Sequence, residues 1–189
     1  MAFSKTPGSA NAYRRQKQIE DCLYTNLLQR PYTSVSVSDL CHQMEISRKS
    51  FYNYYPDKDS CFRAIISRKL RQCSLTITAN MPAGSSRDDV IATLLNFWKQ
   101  ERNFIDIVVR NNLLILLIDQ TLHFMTHEDR SILEFLKTPQ LESNEFVLAS
   151  YVTVHLTMIL QWYQKNFDIP VEEMIPKYKR LVYEPLLSI

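Results

Sequence analysis

Apolar residues recur along this chain at helical spacing. Ile19, Cys22, Leu23 and Leu27 form one stripe over a predicted helix from Asn11 to Gln29, and Pro31 stops it. Leu40, Cys41 and Met44 give the inner face of a short second helix, Ser38–Met44, which Ser36 or Ser38 can cap by accepting a backbone N–H. Ser47 can cap a third, Arg48–Tyr55, ended by Pro56. Phe62, Ile65, Ile66, Leu70, Cys73 and Ile77 line a fourth, from Asp57 or Asp59 to about Asn80. After a break at Met81–Ser86 the pattern predicts five more helices. Val90–Gln100 is apolar at Ile91, Leu94, Leu95 and Trp98, and Asn103–Phe124 is nearly apolar through its middle. Asp129–Lys137 is short. Ser143–Phe167 is long and carries a stripe of mostly small residues, Phe146, Ala149, Ser150, Thr153, Thr157 and Leu160. Pro170 suits the first turn of a last helix, with Glu172 and Glu173 at its positive end and interruptions at Pro176 and Pro185. The expected fold class is all-α with about nine helices.

Composition sharpens this picture. Only two glycines occur, Gly8 and Gly84, too few for a fold built on hairpins. A chain of 189 residues with 46% hydrophobic content can bury a real core. No run of about 18 apolar residues occurs, so no transmembrane helix is expected. The N-terminal stretch MAFSKTPGSANAYRRQK has no apolar core of a secretory signal, so a cytoplasmic protein is expected. Cys22, Cys41, Cys61 and Cys73 form no CxxC pair and read as small buried hydrophobes.

Charge is unevenly distributed. Residues 1–80 hold 12 Lys+Arg against 6 Asp+Glu, and residues 81–189 hold 10 against 14. A basic first part on an acidic remainder suggests that the first part meets a polyanion. The stretch SVSDLCHQMEISRKSFYNYYPDKDSCF carries the same message locally. Two short helices joined by a turn of three to four residues make a helix-turn-helix. Phe51 and Tyr55, four apart, share a face and can dock inside, while Arg48, Lys49, Tyr52 and Asn53 point outward. The third helix would enter the DNA major groove, where Arg or Lys donates to guanine O6 and N7. Ser36, Ser38, Ser50, Tyr54 and Lys58 suit phosphate contacts, as does the opening of the fourth helix beside Lys58.

These residues resemble the DNA-binding module of the TetR (tetracycline repressor) family. The match rests on Ser36 before the second helix, Ser47-Arg48 opening the third, Phe51, Tyr52 and Tyr55 within it, and Asp57-Lys58-Asp59 leading into the fourth. It departs at Glu45, where the family commonly has Gly, and at Tyr54, where it commonly has His. The resemblance implies a helix-turn-helix domain over residues 11–73 and a helical dimerisation and effector-binding domain over 74–189. It implies a homodimer formed through about residues 143–187, on a near-palindromic DNA operator. It implies a repressor released by a small-molecule effector held in the C-terminal domain. Suitable pocket material is Trp98, Phe104, Leu117, Gln120, Phe124, Tyr151, His155, Met158 and Trp162.

Other chemistry is thin. His123 and His127 are four apart, but no Glu lies between them and their helix is expected to end near Met125, so no metal is expected. No nucleophile motif or phosphate-cradling glycine loop occurs, so no cofactor and no enzymatic activity are expected. The alternative function is a transcription activator or co-activator acting through a protein partner.

Overall fold

The structure, a computed structural model, describes residues 10–80, 85–131, 133, 141 and 144–183. Nine α-helices and no strand are found among the described residues: α1 Ala10–Gln29, α2 Val37–Gln43, α3 Arg48–Tyr52, α4 Lys58–Asn80, α5 Arg87–Gln100, α6 Arg102–Arg110, α7 Leu114–His123, α8 Glu145–Gln164 and α9 Val171–Tyr178. The chain divides into two compact units between Ile65 and Ile66, inside α4.

In the N-terminal unit the core forms largely where the periodicity puts it, but Cys22 and Met44, expected on the inner faces, are only half-buried. Ile19, Leu23 and Leu27 of α1 are fully buried, as are Leu40, Phe51, Cys61, Phe62 and Ile65. Ser36 caps α2 in a reciprocal box: its hydroxyl accepts from Asp39 N at 3.1 Å, and its own N–H donates to the Asp39 carboxylate at 2.9 Å. Ser47 caps α3 through Ser50 N. The third helix is shorter than expected and ends at Tyr52. Tyr54 and Tyr55 both bond back to Phe51 O, closing the helix before Pro56.

In the C-terminal unit the main departure is at Asn103–Phe124. The predicted single helix is two, α6 and α7. Asn112 takes φ 54, Leu113 N donates to Val108 O and Asn112 N to Val109 O, which together cap α6. The Asn111-Asn112 pair overrides the apolar run because Asn tolerates the left-handed region. A π turn, Phe124–Glu128, follows α7. Asn166 and Phe167, at φ 58 and 55, stop α8 in the same manner. The helix expected over Asp129–Lys137 lies largely outside the described residues, as do Gly84 and Pro185.

α8 has a mean hydropathy of 1.3 over its most apolar 18-residue window, long and apolar enough to cross a bilayer by composition. Half of that window is buried, with Leu148, Tyr151, Val152, Leu156, Ile159 and Trp162 in the core of the unit. The stripe of small residues lies on its other side. Ser150, Thr153 and Thr157 are exposed, and Phe146 is 76% exposed.

Candidate nucleic-acid interface

The turn between α2 and α3 fixes how α3 is presented. Ile46 N donates to Cys41 O at 3.0 Å and Glu45 N to His42 O at 3.2 Å, the double bond of a left-handed helix stop. Glu45 occupies that left-handed position at φ 53. A residue with a Cβ is strained there by about 1–2 kcal/mol.

α3 then has two chemically distinct sides. Phe51 is fully buried and Tyr55, just beyond the helix, is 6% exposed. The Tyr55 hydroxyl donates to the buried Glu20 carboxylate of α1 at 2.7 Å. This bond and the Phe51–Tyr55 ring contact at 6.1 Å hold the inner side. On the outer side Ser47, Arg48, Lys49, Tyr52 and Asn53 are exposed, with Ser50 half-buried. The Arg48 guanidinium reaches the Tyr52 hydroxyl at 3.4 Å and sits over its ring. That bond raises the already high guanidinium pKa, so the cation is permanent. Arg48 and Lys49 thus sit at the first turn of an exposed helix, where base edges would be read. Ser38 is exposed on α2. The Ser36 hydroxyl caps α2 yet remains at the surface.

Lys58 is placed differently from the sequence expectation. Its ammonium donates to Tyr32 O at 2.6 Å and Val35 O at 2.7 Å, and lies 4.0 Å from the centre of the Tyr32 ring. Burial lowers its pKa. Its work is therefore to staple the Tyr32–Ser34 turn to the start of α4, adding a second donor to Tyr32 O, which already accepts from Val35 N, and supplying one to Val35 O. It is not presented outward for phosphate. The Tyr32 hydroxyl completes the staple by donating to Asp59 at 2.5 Å.

A basic cleft of about 530 Å³ lies beside this surface, lined by Asn11, Arg14, Arg15 and Gln18 of α1 and by Tyr54. Arg14 and Arg15 are absent from the sequence-based set. Their signal is the Arg-Arg-Gln-Lys run of residues 14–17. Only the fold brings that run against Tyr54.

In the C-terminal unit a cavity of about 30 Å³ is enclosed by Leu70 and Cys73 of α4, Leu94 and Trp98 of α5, and Thr121 and Met125 around the end of α7. Tyr151, Val152, His155 and Leu156 of α8 close it. Of the residues expected to line a pocket, Trp98, Tyr151 and His155 are here. Phe104 stacks on Trp98 from outside the lining, at 6.3 Å between ring centres. Leu117 and Phe124 are buried elsewhere in the core, Met158 is half-buried, and Trp162 donates to Ile169 O at 3.0 Å. Gln120 belongs to a polar latch instead. Its amide donates to Ser67 Oγ at 2.9 Å, Ser67 donates to Glu128 at 3.0 Å, and Arg71 pairs with Glu128 at 3.1 Å. The latch ties α4 to the π turn. The rings of His123 and His127 stack at 4.8 Å. No group of three or more metal-ligating side chains occurs among the described residues.

This geometry defines a helix-turn-helix class of protein, a capped two-helix unit with a basic outer face. Comparison with known proteins points to a family. Residues 26–65 match the pattern described as bacterial regulatory proteins, tetR family. The HTH-type transcriptional regulator EthR of Mycobacterium tuberculosis is 34% identical over 74 residues, 38% of this chain. The match spans about a third of that relative's length. Beyond the module the likeness is one of fold. The fatty acid degradation regulator FadR from Bacillus halodurans aligns over 94% of this chain and 96% of its own, with a TM-score of 0.58 and 15% identity. The dihydroxyacetone kinase operon activator DhaS aligns over 92% and 97%, with a TM-score of 0.52 and 14% identity.

Proposed function

We propose that this chain is a cytoplasmic, dimeric, sequence-specific DNA-binding regulator, a repressor released from its operator by a small molecule. The observation that carries this reading is the two-sidedness of α3 and its end, with Phe51 and Tyr55 locked inward and Arg48 and Lys49 exposed at the first turn. Arg48 and Lys49 donate to guanine edges, and Tyr52 and Asn53 contact neighbouring bases. Ser36, Ser38, Ser47, Ser50, Tyr54, Arg14 and Arg15 grip the flanking phosphates.

A single five-residue helix reads only a few base pairs, so a second copy is needed for an operator of useful length. The exposed stripe of α8 supports the pairing. No charged residue occurs from Phe146 to Gln164, and a solvated helix face of that length normally carries charge. The cavity supports the effector. Leu70 and Cys73 belong to α4, whose first turns, Lys58–Ile65, are part of the DNA-binding unit. A molecule that displaces Leu70 and Cys73 acts on the helix that both units share.

The test is selection of bound fragments from random duplex DNA by the purified full chain. The reading predicts a near-palindrome with half-sites about one helical turn apart and affinity that falls steeply with salt. Enrichment of no sequence, with co-purification of a partner protein, would favour the co-activator reading instead.

A further inference from the structure

Trp98 and Trp162 are the two tryptophans of the chain, and both are buried. Trp162 Nε1 donates to Ile169 O. Trp98 Nε1 has no hydrogen-bond partner among the described residues, although Trp98 is only 3% exposed and lines the cavity of the C-terminal unit. A buried donor left unpaired is costly, and native interiors rarely keep one without a use.

Hydroxyls and one imidazole nitrogen of the lining are already engaged. Thr121 Oγ1 donates to Leu117 O at 2.7 Å. The Tyr151 hydroxyl and His155 Nδ1 both meet the Tyr178 hydroxyl, at 2.9 and 3.0 Å. Among the described residues no Asp, Glu, Lys or Arg lines the cavity. Burial keeps the His155 imidazole neutral and the Cys73 thiol protonated. An ion would therefore lose its hydration with no counter-charge to meet it.

Resting on the effector reading above, we infer that this cavity takes a small, uncharged molecule with an apolar body and one hydrogen-bond acceptor, and that Trp98 Nε1 donates to that acceptor. The cavity holds about 30 Å³, room for roughly two waters at about 10–15 Å³ each. A single-ring molecule enters by pushing its walls. Met125 is the adaptable side chain among them, and it sits in the π turn that Glu128 latches to α4. Occupancy and the latch are thus mechanically joined.

The experiment uses the full chain labelled with nitrogen-15, whose two indole N–H resonances are assigned with Trp98→Phe. Three probes of similar shape are titrated: cyclohexanone, methylenecyclohexane and cyclohexanecarboxylate. Cyclohexanone should move the Trp98 indole proton downfield and leave the Trp162 resonance in place. It should bind at least tenfold more tightly than methylenecyclohexane, and W98F should erase that difference. The wild-type comparison of the three probes stands even if W98F folds poorly. Equal affinity for ketone and hydrocarbon, tightest binding of the carboxylate, or a Trp98 resonance unmoved by all three probes at millimolar concentration would overturn the inference.

The same samples are then tested on the selected DNA fragment. A compound that releases DNA without moving the Trp98 resonance upholds the effector reading and overturns this inference. A Trp98 shift by cyclohexanone without DNA release does the reverse.

Discussion

The two units of this chain put their polar chemistry on opposite sides. In the N-terminal unit most of it faces out: Ser38, Ser47, Arg48, Lys49 and Asn53 are exposed around α2 and α3, over a core of Ile, Leu, Phe and Cys that also holds the Glu20–Tyr55 bond. In the C-terminal unit the buried polar residues include Ser67, Ser74, Gln120, Thr121 and His155, while the outer stripe of α8 is uncharged. The first arrangement suits a rigid surface that meets a charged partner. The second suits an interior that can accept a molecule, because buried polar groups have discrete partners to exchange. The same contrast shows in how helices stop. The N-terminal unit uses Glu45 at φ 53 and accepts strain to aim α3, whereas the C-terminal unit uses Asn112 at φ 54, a residue that tolerates the conformation.

The largest expected effect tests the outward face. Arg48→Ala with Lys49→Ala should weaken binding to the selected DNA by about 100-fold or more, since each base contact contributes about 1–3 kcal/mol. Circular dichroism and the unfolding midpoint should be unchanged, because both side chains are exposed. Unchanged DNA affinity in that variant would remove α3 as the reader and dissolve the contrast.

The next tests the inward chemistry. Burial pushes the His155 imidazole down to about 4, while an unfolded His titrates near 6.5. The stability that follows from a neutral His155 is complete above about pH 6.5. It is lost as pH falls from there to about 4, by about 3 kcal/mol in all. Denaturant unfolding of the C-terminal unit across that window should show this slope, and His155→Phe should flatten it.

Lys58 offers a finer test, because it lies in the outward-facing unit yet is turned inward. Lys58→Met should destabilise that unit by about 2 kcal/mol by stranding the Val35 carbonyl and removing one of the two donors to Tyr32 O. Thermal unfolding of Lys58→Met and of Lys49→Ala should differ accordingly, with only the former shifted. The smallest effect is Glu45→Gly, which should stabilise the N-terminal unit by about 0.5–1 kcal/mol, the left-handed strain relieved less the entropy of glycine. Asn112→Gly should gain less.

The N-terminal unit was largely legible in the sequence because its signals are local. Ser36 and Ser47 precede short helices, Pro31 and Pro56 follow the ends of α1 and α3, and the four-residue spacing of Phe51 and Tyr55 gives their shared inner side. Lys58 was not legible, because its partners are backbone carbonyls 26 and 23 residues away that carry no side-chain signature. The Arg14–Arg15 run was visible, but a basic run does not say what it lies against. In the C-terminal unit the apolar pattern runs straight through Asn111-Asn112, so the break between α6 and α7 is hidden. The break resets the helical phase. Gln120 and Phe124 are pocket candidates by sequence, and the cavity is lined instead by their neighbours Thr121 and Met125.

The central claim is that α3 reads base edges in the major groove, and methylation interference on the selected fragment tests it most directly. Dimethyl sulfate marks guanine at N7 in the major groove and adenine at N3 in the minor groove, so one experiment distinguishes the two surfaces. The account predicts interference from guanine N7 methylation in two clusters about one helical turn apart, lost from the residual binding of the Arg48→Ala, Lys49→Ala variant. Interference confined to adenine N3, or none at all on a fragment that is tightly bound, would contradict it.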